Sequence, residues 1–503
     1  MEVLPGLATG FAIALEPGNL LIALVGAVLG TAVGVLPGLG PSATISLLLP
    51  VSVLLDRNAA LILLAGIYYG AMYGGSITSI LVRIPGEAAS VVTCLDGHAM
   101  ARNGRAGAAL GLSAIGSFVA GILATCGIVL LGPWVAQEAL AFGPVERAAL
   151  LVFGLTLVAQ VGEGSRPRAW TMVGAGLLLS TTGTDLVSGI ERFTFDVPEL
   201  RDGISIAVMA MGLFGVSEVL LLAASRDATA GRIIPHGERL RDLLPNRQEW
   251  RESGGAIVRG SGLGFVLGLL PGGGALIASF ASYILEKRIS RTPERFGHGA
   301  PAGVAGPESA NNAAAQASFV PLLALGIPAN AVIGIIMGAL LMQGVVPGPR
   351  LALEHPELFW SVIASMFVGN LVLLALNLPL VGLFVALLRV PSAIMGPFIL
   401  LFCAIGAYSL NNSMMDVWLM AGFGVVGFLL RRHGWDPAPL LLAFVLGSML
   451  EQSLRQGLLV GYGSPMVFLQ KPISAASLAA AALVLLLPLA LRAWRGAPPK
   501  GTP

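Results

Sequence analysis

The chain has 503 residues, of which 55% are apolar and only 11% are charged, and its formal net charge is +2. Soluble globular domains carry roughly 25% charged residues, so this chain has too few charges to cover a water-exposed surface of its size. The composition therefore excludes an ordinary soluble protein. The weak net charge and the lack of a basic, aromatic-rich stretch argue against nucleic-acid binding.

Apolar runs close to the length needed to cross about 30 Å of hydrocarbon recur along the whole chain. Several are too short to span alone or are interrupted by Pro-Gly pairs. The pattern predicts an all-α polytopic membrane protein with about ten to fourteen membrane segments, some of them re-entrant. In chain order the runs are Leu20–Leu36, Ala59–Val82, Ala108–Leu131, Arg147–Val161, Thr171–Thr182, Ile204–Ala224, Ala256–Leu270, Leu276–Leu285, Phe319–Leu341, Phe359–Leu376, Leu378–Leu388, Pro391–Leu410, Met414–Leu430, Pro439–Leu450 and Ala475–Leu491.

A hydrophilic linker, residues 226–255, divides the chain into a first half, residues 1–225, and a second half, residues 256–503. Basic residues gather in this linker and after Arg492, so the positive-inside rule places both in the cytoplasm. The acidic-leaning segment Asp185–Asp202 is expected outside. Together with the absence of a secretory signal pattern at the N-terminus, this predicts a multi-pass protein of a plasma membrane.

The two halves repeat one another in sequence. Gly34-Val-Leu-Pro-Gly-Leu-Gly-Pro41 is answered by Gly268-Leu-Leu-Pro-Gly-Gly-Gly-Ala275, and Ile84-Pro-Gly-Glu-Ala88 by Ile327-Pro-Ala-Asn-Ala331. Glycine and proline interruptions at matching places in two halves indicate the binding site of a secondary transporter. Two matches in the same order favour a duplication over chance recurrence of Pro-Gly pairs. We expect the two halves to be inverted rather than parallel.

The first glycine loop is predicted to bind a carboxylate. Proline removes an amide donor and glycine tolerates positive φ, so a helix must break at Pro37-Gly-Leu-Gly40. Hydroxyls at the start of the next helix would cap its amides, and that helix end carries a partial positive charge. An ordinary loop at the membrane surface is the alternative. The predicted substrate-binding positions in this loop and its repeat are Gly38, Gly40, Ser42, Thr44, Gly272, Gly273 and Gly274.

A second group of candidates lies in Tyr68-Tyr-Gly-Ala-Met-Tyr-Gly-Gly-Ser-Ile-Thr78. Its glycines suit close helix packing, whereas Ser76 and Thr78 could hydrogen-bond a polar solute. Arg83 follows, and an arginine near the membrane interior normally has a partner or a ligand. It could grip a substrate carboxylate with its planar fork, snorkel to the interface, or pair with Glu87.

The third group is Pro307-Glu-Ser-Ala-Asn-Asn-Ala313, in which Glu308, Asn311 and Asn312 share one face of a helix. A carboxylate and two amides offer hard oxygen ligands for a coupling cation. A helix entry at the membrane interface is the alternative. Backbone carbonyls of the two Ile-Pro loops complete the predicted cation-binding positions, which are Pro85, Gly86, Glu308, Asn311, Asn312, Gly326, Pro328 and Asn330.

Signatures of enzymes are missing from the sequence. It contains no phosphate-binding loop of the Gly-x-x-x-x-Gly-Lys type, no His-Glu-x-x-His and no Gly-x-Ser-x-Gly elbow with plausible partners. Cys94, Cys126 and Cys403 are too scattered for a disulfide framework or a zinc site, so we expect them to pack inertly. The sequence therefore predicts a transporter without an organic cofactor, and a membrane-embedded hydrolase is the least favoured alternative.

Several long motifs in a fixed order resemble the large membrane subunit of tripartite tricarboxylate transporters. They include the glycine loop at Gly34–Pro41, the tyrosine–glycine segment Tyr68–Thr78 and the Glu308 segment. The remaining motifs are Leu95-Asp-Gly97, Arg295-Phe-Gly297, Val346-Pro-Gly-Pro349, Gly406-Ala-Tyr408 and Leu450-Glu-Gln452 with Arg455. The resemblance covers nearly the whole chain.

The resemblance implies uptake of citrate and related organic anions across a bacterial inner membrane, driven by an ion gradient that is commonly sodium and otherwise protons. It implies two partners, a periplasmic solute-binding protein and a small membrane subunit with about four spans. Gly273 stands where the family usually has leucine, and Ala329 where it generally has glycine. Dicarboxylates and aromatic acids therefore stay open beside citrate. A stand-alone exporter or channel is the leading alternative.

Overall fold

The computed structural model describes residues 3–36, 39–161, 165–185, 187–224, 234, 240–272, 274–388 and 392–494. Within these ranges the chain is helical apart from loops and one short antiparallel hairpin. The α-helices are α1 (Val3–Ala14), α2 (Pro17–Val35), α3 (Pro41–Val53), α4 (Arg57–Val82), α5 (Thr93–Met100), α6 (Ala106–Ala139), α7 (Pro144–Val161), α8 (Arg166–Leu179), α9 (Ile206–Ala210), α10 (Ser217–Ala224), α11 (Leu240–Leu243), α12 (Arg247–Gly268), α13 (Gly274–Ile289), α14 (Ala302–Ala317), α15 (Ala331–Met342), α16 (Leu351–Glu354), α17 (Pro356–Asn377), α18 (Val381–Leu387), α19 (Ser392–Asn411), α20 (Met414–Arg432), α21 (Ala438–Val460), α22 (Val467–Gln470) and α23 (Pro472–Trp494).

Shorter elements connect these helices. The hairpin pairs β1 (Gly183–Thr184) with β2 (Glu191–Arg192). Single 3₁₀ turns and π-helical segments lie between helices or continue them, and such segments often mark functional or strained positions. The 3₁₀ turns are Ala88–Val91, Pro198–Leu200 and Pro293–Arg295, and the π-helical segments are Ala101–Arg105, Met211–Val216 and Pro321–Leu325.

The prediction of an all-α polytopic membrane protein is confirmed. Six helical ranges among the described residues are long and apolar enough to cross a membrane, and five shorter apolar helices accompany them. The predicted number of segments thus depends on how many shorter helices enter the membrane. The six ranges are Pro17–Val35, Arg57–Val82, Thr93–Ala139, Ile206–Ala224, Pro356–Asn377 and Met414–Arg432.

Large apolar side chains on several of these helices point away from the protein interior. Leu130 is 73% exposed, Trp134 59%, Leu371 62% and Trp418 66%. Extensive exposed apolar surface marks contact with lipid or with another apolar partner. The exposed side chains therefore agree with the composition in requiring a bilayer as solvent.

The chain packs into two compact units, each made of two stretches of sequence. The first comprises Met1–Ala139 and Ser205–His433, and the second comprises Leu140–Ile204 and Gly434–Pro503. The two predicted halves were defined by repeated sequence motifs, whereas the two units are defined by packing. The boundaries of the halves therefore stay a prediction. Helix α12 begins within the predicted linker, where the Asn246 side chain accepts from the Gln248 and Glu249 amides and so fixes its first turn.

In the first unit, α2 and α4 cross at a row of glycines. A Cβ at Gly26, Gly30 or Gly34 would lie within 2.3–2.7 Å of a carbonyl oxygen of α4. Only glycine permits such an approach of two backbones. The facing carbonyl groups belong to Leu63, Ile67 and Ala71. Helix α4 itself is buried almost throughout its length, so this crossing lies at the centre of the unit.

An equivalent crossing joins α12 and α14. A Cβ at Gly260, Gly264 or Gly268 would lie within 2.1–2.4 Å of a carbonyl oxygen of Gly306, Ala310 or Ala314. These glycines follow Gly26, Gly30 and Gly34 by 234 positions, and the facing residues follow Leu63, Ile67 and Ala71 by 243 positions. The same two offsets separate the repeated motifs of the sequence, so the motifs and the helix crossings repeat in register.

In the second unit, ion pairs hold the hairpin loop to α21. Asp185 accepts hydrogen bonds from the backbone amides of Val187 and Ser188 and from the Arg455 guanidinium, at 2.6 Å for the last. The Arg455 guanidinium holds the pKa of the Asp185 carboxyl well below its usual range. Glu451 pairs with both Arg192 and Arg455. In this network Glu451 and Arg455 hold the hairpin loop to α21. The sequence had pointed to these two residues only through the family resemblance.

The three cysteines are unpaired. Cys403 is buried and Cys94 half-buried, which suits packing residues, whereas Cys126 is exposed. Whether Cys126 is inert stays a prediction.

Candidate substrate and ion site

The predicted helix breaks are present in both halves. Helix α2 ends at Val35 and α3 begins at Pro41, while α12 ends at Gly268 and α13 begins at Gly274. Two predicted positions, Gly38 and Gly273, lie outside the described residues. Because each pair of helices is joined by a short loop of glycine and proline, the two loops are matched elements of the first unit.

The start of α3 differs from the prediction that Ser42 and Thr44 cap it. The capping position is Gly40, and no side chain bonds the first-turn amides. The Thr44 hydroxyl instead donates back to the Gly40 carbonyl, at 3.4 Å, because a residue inside the first turn cannot reach the amides that a preceding residue caps. Among the described residues no side chain caps the Ser42 and Ala43 amides, as is common at helix N-termini.

The second glycine loop contacts the second Ile-Pro loop. The Gly272 amide donates to the Ala329 carbonyl at 2.8 Å, so this amide is engaged within the protein and not free for a carboxylate. Gly274 has a φ of +51°, a conformation that glycine tolerates best. Binding of substrate by Gly274 stays a prediction.

Ser76 and Thr78 have separate partners. Thr78 is fully buried and donates to the Val35 carbonyl at 2.6 Å, which satisfies an otherwise free acceptor at the end of α2. Ser76 donates to a Glu308 carboxylate oxygen at 2.5 Å. Thr78 therefore forms a hydrogen bond between α4 and α2. Ser76 instead bonds a residue of the predicted cation site.

Glu308 is fully buried on α14 and is surrounded by neutral donors. Ser76 and Thr93 donate to its two oxygens, and the Asn311 amide approaches at 3.4 Å. The prediction that Glu308 and Asn311 share a helical face is confirmed. The alternative of a helix entry at the interface is wrong, because α14 begins at Ala302 and Glu308 has no exposed surface.

A row of buried polar side chains continues from Glu308 along α14. Asn312 donates to the Ser117 hydroxyl at 2.7 Å and to the Glu308 carbonyl at 3.0 Å. One further turn along, Gln316 accepts from Thr125 at 2.6 Å and donates to Asn370 at 3.0 Å. Polar side chains inside a membrane are expensive and usually functional. We call Glu308, Asn311, Asn312 and Gln316 the polar row; all four side chains are buried.

Arg83 ends α4 in a left-handed conformation with φ of +63°. The matching residue of the second half, 243 positions later, is Gly326 with φ of +71°. A left-handed non-glycine residue is strained, and such strain gathers at functional positions. Arg83 is exposed and forms no ion pair with Glu87, so the pairing alternative is not observed. Its grip on a carboxylate stays a prediction.

The Ile-Pro loops are fixed by their neighbours. Asn330 caps α15 by accepting from the Ile333 amide, and it donates to the Tyr68 hydroxyl at 3.1 Å. A Cβ at Gly86 would lie 2.0 Å from the Gly34 carbonyl oxygen, so this loop presses against α2. Coordination of a cation by the carbonyls of Pro85 and Pro328 stays a prediction.

Several residues of the site were not predicted. Gln316 follows Asn312 by one helical turn, so the periodicity of α14 could have shown it. Thr93, Ser117 and Asn370 come from α5, α6 and α17, and a single sequence holds no signal that brings them to α14. Among the described residues no group of three or more His, Cys, Asp or Glu side chains could hold a metal ion.

Paired broken helices around a buried polar row define a polytopic helical protein of the solute-transport class. A family model described as the tripartite tricarboxylate transporter TctA family matches residues 20–442. The chain belongs to that family, which confirms the resemblance inferred from its motifs.

Two proteins of Agrobacterium vitis are similar to this chain. One is described as an uncharacterized 52.8 kDa protein in the TAR-I ttuC' 3' region; it is 49% identical over 492 residues, which cover 97% of each chain. The other is described as an uncharacterized protein in the TAR-II ttuC' 3' region; it is 52% identical over 226 residues, which cover 45% of this chain and 93% of that protein. No solved structure matches the chain.

Proposed function

We propose that this chain is the large permease subunit of a tripartite secondary transporter that imports small organic carboxylates, citrate-like tricarboxylates among them, with a sodium or proton gradient. The observation that carries the proposal is the buried Glu308 carboxylate, held by α4, α5 and α14 beside the two broken helix pairs. A buried acid at this depth suits a coupling cation, and membership of the family supplies the class of solute.

The uncapped start of α3 is the proposed substrate end of the site. Its free amides carry the positive end of a helix dipole, which favours a carboxylate group. The exposed Arg83 guanidinium adds a planar donor fork suited to the same group. The proposed partners are a periplasmic solute-binding protein, which delivers the carboxylate, and a small membrane subunit, in a bacterial inner membrane.

Alternating access in this proposal is of the elevator type, in which the bundle that carries both loops moves against the rest. The repeated glycine crossings support two related halves, and we propose that they are inverted. Single cysteines at Ser42 and Leu276, in a background without the native cysteines, test the orientation. An impermeant maleimide is expected to label them from opposite sides of the membrane. Labelling from the same side would contradict the inverted arrangement and favour a parallel repeat.

Uptake by proteoliposomes tests the function. Vesicles containing this chain and its small partner are given radiolabelled citrate, dicarboxylates or aromatic acids, with and without an inward sodium gradient and the binding protein. We expect uptake that needs both the gradient and the binding protein. Uptake of a carboxylate that needs neither would contradict the proposal and indicate a channel or a stand-alone exporter instead.

A further inference from the structure

Glu87 carries a buried carboxylate with one unused oxygen. The side chain is 8% exposed, and its Oε2 atom accepts from the Ala89 amide at 2.9 Å. Its Oε1 atom is buried and has no hydrogen-bond partner among the described residues. A buried charged oxygen without a partner is costly, so this atom points to a ligand. The sequence had offered Glu87 only as a partner for Arg83.

Glu308 is the neighbouring acid. A Cβ at Gly75 would lie 2.7 Å from Glu87 Cγ, and the next residue, Ser76, donates to Glu308 at 2.5 Å. The two carboxyl groups therefore meet α4 at successive residues, Gly75 and Ser76. Glu308 accepts only from neutral groups, which belong to Ser76, Thr93 and Asn311. These donors do not neutralise the negative charge of an ionised Glu308.

No ion pair joins a basic side chain to Glu87 or Glu308 in the described part of the chain. Asp96 is occupied by the Tyr283 hydroxyl and by amides of the 297–300 segment. Glu286 is paired with Arg259 at 2.6 Å. In the described ranges the other ionisable groups on α4, α5, α13 and the loop after α4 form no salt bridge with either acid. Those groups are Arg57, Tyr68, Tyr69, Tyr73, Arg83, Cys94, Asp96, His98, Tyr283, Glu286, Lys287 and Arg288.

The repeat does not produce a second acid pair. The residue that follows Glu87 by 243 positions is Asn330, whose amide is neutral and bonds both Tyr68 and the Ile333 backbone. The residue that precedes Glu308 by the same offset is Ala65. The acid pair therefore joins one residue from each half, and its repeat-related positions carry no acid.

We propose that Glu87 and Glu308 together bind one monovalent cation, H⁺ or Na⁺, between the Ile84–Glu87 loop, α4 and α14. Two neighbouring buried carboxylates cannot both stay ionised without a counter-charge. Carboxylate and hydroxyl oxygens can bind either a proton or a sodium ion. That this cation drives transport rests on the proposed function, whereas its binding to the acid pair does not.

Binding is tested on the purified full chain in detergent without any carboxylate. The unfolding midpoint Tm is followed as NaCl replaces choline chloride at constant ionic strength, and separately as pH is varied without sodium. A cation that binds only the folded chain raises Tm, so sodium binding gives a rise with NaCl. Proton binding gives a fall in Tm as pH rises, because the stabilising proton is lost.

Glu87→Gln is expected to remove the sodium or pH response, whichever the wild type shows. Glu357→Gln makes the same change at an exposed position at the start of α17 and is expected to keep the full response. An unchanged response in Glu87→Gln would overturn the proposal, and so would a wild type that responds to neither cation. If Glu87→Gln does not fold, Glu87→Asp decides, since moving the carboxylate must shift the half-maximal NaCl concentration or pH.

Transport measurements test the proposed function separately from the proposed cation site. In proteoliposomes, Glu87→Gln is expected to lower gradient-driven accumulation about tenfold, a typical coupling factor between two ligands, while carboxylate exchange without a gradient persists. Gradient-driven accumulation equal to that of the wild type would overturn the role of Glu87 in coupling. A wild type that shows the Tm response but moves no carboxylate would refute the proposed function and leave the cation site standing.

Discussion

Gly264→Ala is expected to destabilise the chain by about 1–3 kcal/mol, the usual cost of overpacking. The new Cβ would lie 2.1 Å from the Ala310 carbonyl oxygen and 2.7 Å from its Cα. Both atoms belong to the backbone of α14, so no side chain can turn away and the two helices must separate. Separation would also displace Glu308, which lies on the same helix between the contacts at Gly306 and Ala310.

Gly262→Ala is the matched control. Gly262 lies on the same helix α12, is exposed, and has no atom within 4 Å of its missing Cβ. Alanine favours a helix over glycine by about 1 kcal/mol, so this change is expected to be neutral or slightly stabilising. The unfolding midpoint of the detergent-purified proteins measures both. Equal midpoints for the two variants would contradict the close crossing of α12 and α14.

The first-half counterpart extends the same comparison. A Cβ at Gly30 would lie 2.3 Å from the Ile67 carbonyl oxygen, and Gly30 precedes Gly264 by the repeat offset of 234 positions. The two crossings therefore use one geometry twice. This explains why glycines spaced four residues apart recur on both α2 and α12.

Much of the fold was predictable because it depends on local chemistry. Low charge and recurrent apolar runs required a bilayer, and the Pro-Gly loops had to end α2 and α12. The repeated loops were visible since proline and glycine restrict the backbone wherever they stand. The glycine crossings were harder to predict, because the spacing of glycines on one helix does not tell which helix faces them.

The candidate site was predicted in part for the same reason. Asn311 and Asn312 follow Glu308 by one turn of the same helix, so their shared face follows from helical periodicity alone. Thr93 and Asn370 reach this face from helices far away in the sequence, and only the tertiary fold brings them there. The bond from Thr78 to the Val35 carbonyl could not be predicted because its acceptor belongs to another helix, and substrate binding by Thr78 stays a prediction.

The start of α3 illustrates the opposite case. Hydroxyls near a helix start usually indicate a cap, yet Pro41 begins this helix and Gly40 precedes it. The capping position therefore has no side chain, and the Thr44 hydroxyl turns to a carbonyl instead. The first-turn amides therefore have no side-chain cap among the described residues, which the proposed binding of a carboxylate requires.

Removing the Glu308 charge is expected to abolish gradient-driven uptake, with two variants separating charge from structure. Glu308→Ala leaves the Ser76 and Thr93 hydroxyls and the Asn311 amide buried without their acceptor, and each unsatisfied group costs about 1–3 kcal/mol. This variant is expected to lose both stability and uptake. Glu308→Gln keeps one acceptor oxygen, and the hydroxyls can rotate to accept from its amide, so its unfolding midpoint should stay near that of the wild type.

The midpoint and the uptake rate, measured on the same preparations, distinguish the two roles of Glu308. A residue that only completes the packing of α14 would lose uptake in proportion to stability, so Glu308→Gln would transport normally. A residue that holds the coupling cation loses uptake in both variants, whatever their stability. Normal gradient-driven uptake by a stable Glu308→Gln protein would therefore remove Glu308 from the coupling mechanism. The exposed Glu357→Gln variant is the control, and its uptake is expected to equal that of the wild type.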